Sequence, residues 1–155
     1  MADDFHRLAP WIQQIAARFD ERSRKKMGRK IAQSLRTLNA KRIAANVQPD
    51  GSAMEPRKKQ AQRNRQTKRI RKGPRMFPNI RKKSNMTIRV TADHVEIGFN
   101  DKVARAANVH HYGLRDRIAH FRGAPSIRYP RRELLGFGPE DEAEIIEVVM
   151  NAIDA

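Results

Sequence analysis

Two adjacent histidines, His110 and His111, are the residues of this chain with the clearest potential for metal chemistry. A nuclease-like metal site would need further ligands, and those that the chain could supply are His94, His120, Asp93 and Asp116. Neighbouring residues of a helix point about 100° apart, so the two histidines cannot chelate one ion from one face. We therefore expect no metal site. His110 should pack at a helix end, and His111 should lie at the surface or in an interface.

Other signatures of catalysis are missing from the sequence. No serine stands in a Gly-x-Ser-x-Gly elbow, and no phosphate-binding loop ending in Gly-Lys-Ser or Gly-Lys-Thr occurs. Gly136-Phe137-Gly138 begins like a dinucleotide-binding loop, but Asp141 occupies the position of the third glycine. The lack of cysteine excludes disulfides, thiolate zinc sites and thiol nucleophiles. We expect a protein that is not an enzyme and uses no cofactor.

The 155-residue chain is strongly basic, and its charge is concentrated in one segment. It carries 33 Lys and Arg against 17 Asp and Glu, a formal net charge of +16 that favours anionic partners. Thirteen of the basic residues, and no acidic residue, lie between Pro56 and Lys83, which leaves +3 (16 less 13) for the rest. These candidate contacts with DNA or another anionic partner are Arg57, Lys58, Lys59, Arg63, Arg65, Lys68, Arg69, Arg71, Lys72, Arg75, Arg81, Lys82 and Lys83.

Residues 48–85 around this segment are predicted to form a long irregular loop. Low-complexity stretches rich in Arg, Lys and Gln bury too little apolar surface to offset an ordering entropy of about 1–2 kcal/mol per residue. The loop contains one aromatic residue, Phe77, and so lacks the interleaved rings that stack bases. Two interpretations stay open. The loop is either solvated and only raises solubility, or it orders against backbone phosphates or an acidic protein face.

Two amphipathic helices are predicted before the loop. Apolar residues at helical spacing predict that the first runs from about Leu8 to Phe19, with Pro10 in its first turn. The second should end before Gln48, since the proline that follows disfavours helical geometry. Its basic residues, including Arg42, are expected to be mostly solvated. Its buried stripe should consist of Met27, Ile31, Leu35 and Leu38.

After the loop, the spacing of the apolar residues changes to strict alternation. Ile88 and Val90, followed beyond a turn by the segment 95–99, predict a hairpin with one buried face. A third strand is predicted from Ser126 to Tyr129, where Pro130 would place it at an edge. These strands should form one small antiparallel sheet.

Two further helices are predicted in the C-terminal part. Asn100 should cap a helix that runs from Asp101 to about His111 and ends at Gly113. Its buried face should hold Val103, Ala106, Ala107 and His110. Gly138 should cap the last helix, in which acidic residues match the positive end of the helix dipole. The buried stripe of that helix should be Ile145, Ile146, Val149 and Ile153.

These elements predict an α+β protein in which helices pack on one face of a small antiparallel sheet. The length fits a single domain, residues 1–155, with a helical part (8–47), the basic irregular loop (48–85) and a part with hairpin, helix, strand and C-terminal helix (86–155). No apolar run approaches the roughly 20 residues that span a bilayer, and the acidic start is unlike a signal peptide. We therefore expect no contact with a membrane.

Several short motifs, in their order along the chain, resemble the phage virion morphogenesis family. They are Ile31-Ala32-Gln33-Ser34-Leu35-Arg36, Lys41-Arg42-Ile43-Ala44, Pro49-Asp50-Gly51-Ser52, Val103-Ala104-Arg105, Val109-His110-His111-Tyr112-Gly113-Leu114-Arg115-Asp116 and Tyr129-Pro130-Arg131-Arg132-Glu133-Leu134-Leu135-Gly136. The resemblance runs from about Ile31 to Ile153, and the ordered set is more specific than any single motif. The residues that carry it most clearly are Pro49, Asp50, Gly51, His110, Tyr112, Gly113, Leu134, Leu135 and Gly136.

The resemblance implies a structural protein of contractile-tailed phages that completes the head-proximal end of the tail and enables head-tail joining. It implies a tail-terminator-like fold and a homo-hexameric ring at the tail-neck junction of the virion, assembled in the bacterial host cytoplasm. Implied partners are further copies of the chain, tail tube or sheath protein, and neck or connector proteins, with DNA in the lumen as a further candidate.

The C-terminal end of the chain is acidic. Between Glu133 and Ala155 it has seven acidic residues and no Lys or Arg. This face is either an ordinary solvated helix surface or a partner for a basic surface of a neighbouring subunit. Candidate residues of such a subunit interface are Arg131, Arg132, Glu140, Asp141 and Glu144.

Two other functions stay open on the sequence alone. The first is a nucleic-acid-binding protein that coats phosphates without reading bases, recognisable by salt-dependent binding to arbitrary duplex DNA. The second is an adaptor of the head-side neck, which should follow twelvefold rather than sixfold symmetry.

Overall fold

The computed structural model of the chain describes residues 2–57, 76–119 and 121–155, with side chains described from His6 onward. The elements in this part of the chain are α1 (Ala2–Ala16), α2 (Glu21–Ala45), β1 (Met86–Val90), β2 (Val95–Phe99), α3 (Asp101–Tyr112), β3 (Arg115–Arg117), β4 (Ser126–Arg128) and α4 (Pro139–Ile153). The predicted α+β class is confirmed. None of the described helices combines the length and the apolar character needed to cross a bilayer.

Helix α1 begins and ends earlier than the sequence predicted. It starts at Ala2 and stops at Ala16, so Pro10 lies inside the helix and not in its first turn. An interior proline removes one backbone hydrogen bond. The helix is held by side-chain packing instead, because its apolar residues lie on a core cluster shared by α2 and α4. Those packing residues are Leu8, Trp11, Ile12 and Ile15.

Helix α2 is the longest of the described elements, and β1, β2 and α4 pack against it. Its N-terminus is capped by Asp20, whose carboxylate accepts a hydrogen bond from the Ser23 amide at 2.8 Å. The helix ends at Ala45, and Asn46 adopts the left-handed conformation with φ 56°. The predicted stripe is largely confirmed. Met27 and Leu35 are buried, and Ile31 and Leu38 are half-buried.

The predicted hairpin is confirmed as the antiparallel pair β1–β2, with Ile88 opposite Ile97. It packs against α2. The two elements meet at Gly28, where a Cβ atom would lie 2.9 Å from Val90 and 3.3 Å from Val95. A side chain at this position would push the hairpin away from the helix.

Helix α3 follows the hairpin and ends where predicted, with Gly113 in the left-handed conformation at φ 65°. Its buried residues are Val103, Ala107 and Val109, so the predicted burial of Ala106 is wrong. The third predicted strand exists as β4, but it pairs with β3, which the sequence did not predict. The described strands therefore form two separate two-stranded sheets and not one.

Helix α4 starts at Pro139 behind the N-cap Gly138, as predicted. It packs on α2 and buries Ile145 and Val149. The other two residues of the predicted stripe, Ile146 and Ile153, are exposed. They lie about 100° or less around the helix from the buried line, on a flank that α2 does not reach.

The described core consists of two clusters. One contains Met27, Leu35, Ile145 and Val149 and joins α2 to α4. The other lies beside α3 and consists of Ile43, Met54, Met76, Phe77, Ile80, Val103, Ala107 and Leu134. Both described ends of the segment 48–85 contribute residues to the second cluster, Met54 from one end and Met76, Phe77 and Ile80 from the other. The interpretation that this segment is only solvated therefore does not hold for these ends, although no helix or strand is described in them.

A Gly138→Ala substitution is expected to lower the free energy of unfolding. A Cβ atom here would lie 2.2 Å from the carbonyl oxygen of Pro49, and backbone atoms at such a contact cannot move aside cheaply. Overpacking of this kind costs about 1–3 kcal/mol. Urea denaturation measures the change. The control is Gly98→Ala, whose new methyl group would meet only the Thr87 hydroxyl at 3.4 Å. Equal stability of the two variants would contradict the tight contact at Gly138.

Candidate functional site at the base of the basic loop

The start of the basic loop is held by the side chain of Arg132, which is only 4% exposed. Its Nε donates a hydrogen bond to the carbonyl of Glu55 at 2.6 Å, and its Nη2 donates to the carbonyl of Pro56 at 3.2 Å. The backbone amide of Arg132 donates to the carbonyl of His110 at 2.7 Å. One arginine thus joins the loop to the end of α3.

The other end of the loop is held by the ring of Phe77. This residue is buried with its backbone at φ 56°, a conformation that bulky side chains rarely adopt. Its ring lies edge-on to His110, with centroids 4.7 Å apart, and His110 in turn contacts Tyr129 at 5.0 Å. Because the guanidinium of Arg132 lies 3.3 Å from His110 Nδ1, both ends of the loop meet at one histidine.

Four of the thirteen candidate cations lie in the described residues. Arg57, Lys82 and Lys83 are exposed beside this base, and Arg81 is half-buried. The remaining nine lie outside the described residues: Lys58, Lys59, Arg63, Arg65, Lys68, Arg69, Arg71, Lys72 and Arg75. Their role as contacts with an anionic partner stays a prediction.

A buried ion pair joins α2 to α4 next to this base. Nη1 of Arg42 lies 2.5 Å from Oδ2 of Asp141, and the two side chains are 10% and 0% exposed. The prediction that Arg42 is solvated is therefore wrong. Its Nη2 also donates to Asn39 Oδ1 at 2.8 Å and to the carbonyl of Gly136 at 3.0 Å. The carboxylate of Asp141 accepts the amide of Gly138 at 2.7 Å, as in one half of a capping box.

The segments that carry the family resemblance come together around this ion pair. Pro49 is buried, and its ring lies so close to Gly136 that a Cβ atom there would be 2.6 Å from the proline Cγ. The turn itself is confirmed, with Gly51 at φ 85° and Asp50 accepting the amide of Ser52 at 2.8 Å. Leu134 is buried in the second core cluster. These motif residues therefore position the chain.

The remaining motif residues lie at the end of α3 and in the segment that returns beside it. Gly113 packs against the backbone of Arg131, with only 3.0 Å between that amide nitrogen and a Cβ atom built on the glycine. Leu135 is half-buried, whereas Tyr112 is 61% exposed. Tyr112 is thus a motif residue with a large aromatic surface available to a partner.

The two histidines have structural contacts and do not face each other across a metal site. His110 packs at the end of α3, as predicted. His111 is half-buried, and its Nδ1 accepts a hydrogen bond from the amide of Leu134 at 3.1 Å, so the prediction of a surface or interface position is only partly right. No three His, Asp or Glu side chains within 6–57, 76–119 and 121–155 gather as metal ligands. His120 lies outside the described residues.

Burial and nearby cations lower the basicity of both rings. Desolvation, with the charges of Arg132 and Arg57, lowers the pKa of His110 to about 4. Desolvation also lowers the pKa of His111, against the opposing charge of Glu133. Both histidines are therefore neutral near pH 7, which suits the positive groups packed beside them.

The predicted subunit interface is corrected at two positions. Asp141 and Arg132 are buried and bound within their own chain, so neither can contact a neighbouring subunit. Arg131 is exposed and pairs with Glu133 of the same chain. Glu140 is exposed and Glu144 is half-exposed. An interface role for these last three residues stays a prediction.

Sequence reasoning missed the partners Arg42, Asn39 and Asp141. A signal was present, because Asn39 and Arg42 follow Leu35 at four and seven residues, on the buried side of α2. Apolar spacing alone cannot find such residues, since their side chains are polar. Asp141 is the third residue after the N-cap Gly138. The sequence analysis explained its acidic character by the helix dipole and did not predict its ion pair with Arg42.

The two buried arginines, Arg42 and Arg132, each hold separate parts of the chain together. Arg42 fastens two helices and a connecting segment, and Arg132 fastens the loop base. These contacts hold α2, α4 and the base of the loop in fixed relative positions.

Comparison with known proteins identifies the family of this chain. A model of the phage virion morphogenesis family matches residues 3–154, and the chain belongs to this family. The resemblance predicted from the motifs is thereby confirmed. The chain is also 27% identical over 149 residues to the tail completion protein S of Escherichia phage P2, a match that covers 96% of each chain. No solved structure gives a significant match.

Asp141→Asn should lower the free energy of unfolding by about 3–5 kcal/mol, because it leaves the buried charge of Arg42 without its counterion. Chemical denaturation measures the loss. The matched control is Glu96→Gln, which breaks the exposed Arg89–Glu96 pair and should cost less than about 1 kcal/mol. Similar losses in the two variants would show that burial of the Arg42 pair contributes nothing.

Stability should fall as the pH is lowered from about 6.5 to about 4. In this window the unfolded chain takes up a proton at His110, whose ordinary pKa is about 6.5, whereas the folded chain resists protonation until the pH approaches 4. His111 contributes in the same direction. Thermal unfolding across this range should show a shallower slope for His110→Gln than for the parent. An unchanged slope of stability against pH would show that protonation of His110 does not cause this pH dependence.

Proposed function

We propose that this chain is a structural assembly protein that completes the head-proximal end of a phage tail and enables the tail to join the head. The observation that carries the proposal is the match over 96% of both chains to a protein named for tail completion. Membership of the phage virion morphogenesis family supports it. The protein would act in the virion at the tail-neck junction, after assembly in the bacterial cytoplasm.

The proposed working form is a ring of six copies. Its neighbours would be tail tube or sheath protein on one side and neck or connector proteins on the other, with DNA as a candidate occupant of the lumen. Six copies carry 96 formal positive charges (six times 16), so a closed ring needs anions close to it. The surfaces proposed to supply or receive these contacts are the basic loop and the acidic face of α4.

The anchored base of the loop supports a contact role for the loop. Residues 57–75 contain ten cations and no acidic residue, and they lie between the segment bound by Arg132 and the buried Phe77. A segment that is fastened at both ends loses less entropy when it binds than a free tail of equal length. We propose that it lies against DNA in the lumen or against an acidic face of the tail tube or neck.

Replacement of five loop cations by alanine should impair joining and spare folding. The variant changes Arg57, Lys58, Lys59, Arg63 and Arg65. The readout is the yield of infectious particles when purified heads and tails are mixed with the protein, with circular dichroism to verify the fold. We expect a loss of about tenfold or more, because several charge contacts are removed together.

A control variant with the same loss of charge separates a specific contact from a general effect of net charge. It replaces five exposed cations of α2, which are Arg22, Lys26, Arg29, Lys30 and Lys41. This variant should join heads and tails normally. Normal joining by the loop variant would contradict the proposed role of the loop. Equal impairment of the loop variant and the α2 variant would show that joining depends on net charge and not on a specific contact of the loop.

The symmetry of the purified protein tests the ring against the alternatives. A sixfold ring, alone or on isolated tail tubes, is expected in native mass spectrometry and particle images. A twelvefold ring would favour a head-side neck adaptor. A monomer that ignores tail tubes but binds arbitrary duplex DNA, with an affinity that falls steeply as salt rises, would favour a general nucleic-acid-binding protein.

A further inference from the structure

The surface of α4 that faces away from α2 has two stripes of different chemistry. Both follow the helical spacing of four and three residues, and the mean directions of the two stripes differ by about a third of a turn. The acidic stripe consists of Glu140, Glu144 and Glu147, and the apolar stripe consists of Ile146, Met150 and Ile153. The apolar stripe is 37–45% exposed, so no described residue of the same subunit covers it.

The β3–β4 hairpin also has two faces of different chemistry. In the register of the pair, Arg115 lies directly opposite Arg128, and Arg117 lies on the same face. Asp116 and Ile127 share the other face, where Leu114 and Ile118 extend the apolar surface. The apolar residues of the hairpin are 43–51% exposed, and Phe121 near its tip is 60% exposed.

The hairpin is incomplete as an isolated element. Two-stranded sheets are marginally stable without a packing partner, and like charges placed directly opposite each other across strands are destabilising. The hairpin is fastened to α3 by the ion pair between Arg105 and Asp116, whose atoms approach to 2.5 Å. This contact positions the hairpin but leaves its arginines and most of its apolar side chains open to solvent.

We propose that the β3–β4 hairpin of one subunit lies along α4 of a second copy of this chain. A ribbon with one edge against the helix directs its two faces toward opposite flanks of that helix. The apolar side chains then cover the apolar stripe, and the arginines reach the acidic stripe. Both chemical classes are matched at once, and the repulsion between Arg115 and Arg128 is relieved by carboxylates.

The apolar part of the surface selects a protein partner over nucleic acid. Phosphates would satisfy the arginines, but they would leave Leu114, Ile118 and Ile127 in water. A second copy of the chain satisfies both, because every subunit carries one hairpin and one α4. The contact joins two different surfaces, so it is heterologous and extends from copy to copy until a ring closes. This inference rests on the proposed function, in which the chain works as a ring.

Cysteine cross-linking between two variants tests the contact directly, since the natural chain has no cysteine. One full-length variant carries Arg117→Cys in the hairpin, and the other carries Glu144→Cys in α4. The variants are mixed in equal amounts, alone and with isolated tail tubes, and mildly oxidised. We expect disulfide-linked dimers in the mixture and few in either variant alone, because a heterologous contact does not bring identical residues together. A chain with both substitutions should give a ladder up to the full ring.

The control pair replaces the hairpin position by Arg89→Cys, an exposed arginine of the other hairpin, and should not cross-link with Glu144→Cys. Charge reversal gives a second measurement. Arg115→Glu with Arg117→Glu should weaken self-association by about tenfold or more in sedimentation experiments. Adding Glu140→Arg and Glu144→Arg to the same chain should restore it. Failure of this rescue, with all variants folded, would contradict the charge match.

The outcomes separate this inference from the proposed function. A sixfold ring without the cross-link overturns the hairpin–α4 contact and leaves tail completion standing. A chain that stays monomeric on tail tubes and yet restores joining overturns both the contact and the ring, while completion itself stands. A chain that cross-links as expected but does not restore joining of heads and tails supports the contact and contradicts tail completion.

Discussion

The buried ion pair between Arg42 and Asp141 places a strong constraint on this fold. Two charges removed from water need hydrogen bonds from the groups around them. That need recruits Asn39, the carbonyl of Gly136 and the amide of Gly138 into one network. Helix α2 and the segment from Gly136 to Asp141, which are distant in sequence, are thereby held in a single relative position. This network adds directional contacts to the apolar packing between α2 and α4.

The base of the basic loop depends on the same frame. Gly136 and Gly138 lie against Pro49, so the turn after α2 and the approach to α4 are fixed together. The segment that leads into Gly136 places Leu134 in the core and Arg132 against the carbonyl of Glu55 at the base of the loop. A disturbance of the ion pair would therefore be felt at the loop, although no charge of the loop takes part in the pair. The ion-pair network and the base of the loop therefore belong to one packed framework.

Local sequence patterns predicted the helices and strands more accurately than the contacts between them. Alternation in β1–β2 and the cap at Gly138 carry their information within a few residues, and both predictions were confirmed. The buried Arg42 could not be found this way, because its burial depends on Asp141, ninety-nine positions away. Strand β3 is three residues long and largely exposed, so it leaves no alternating pattern. The exposure of Ile146 reflects which flank of α4 meets α2, a property of packing and not of spacing.

Entry and exit of residues 57–75 lie side by side, at the carbonyls held by Arg132 and at the ring of Phe77. The ends of this segment are therefore held close together by the described part of the chain. Doubling the length of such a segment costs about 0.6 kcal/mol. The segment between these ends is therefore suited to the insertion of additional residues. A longer segment between these two anchored ends is therefore expected to lower the free energy of unfolding only slightly.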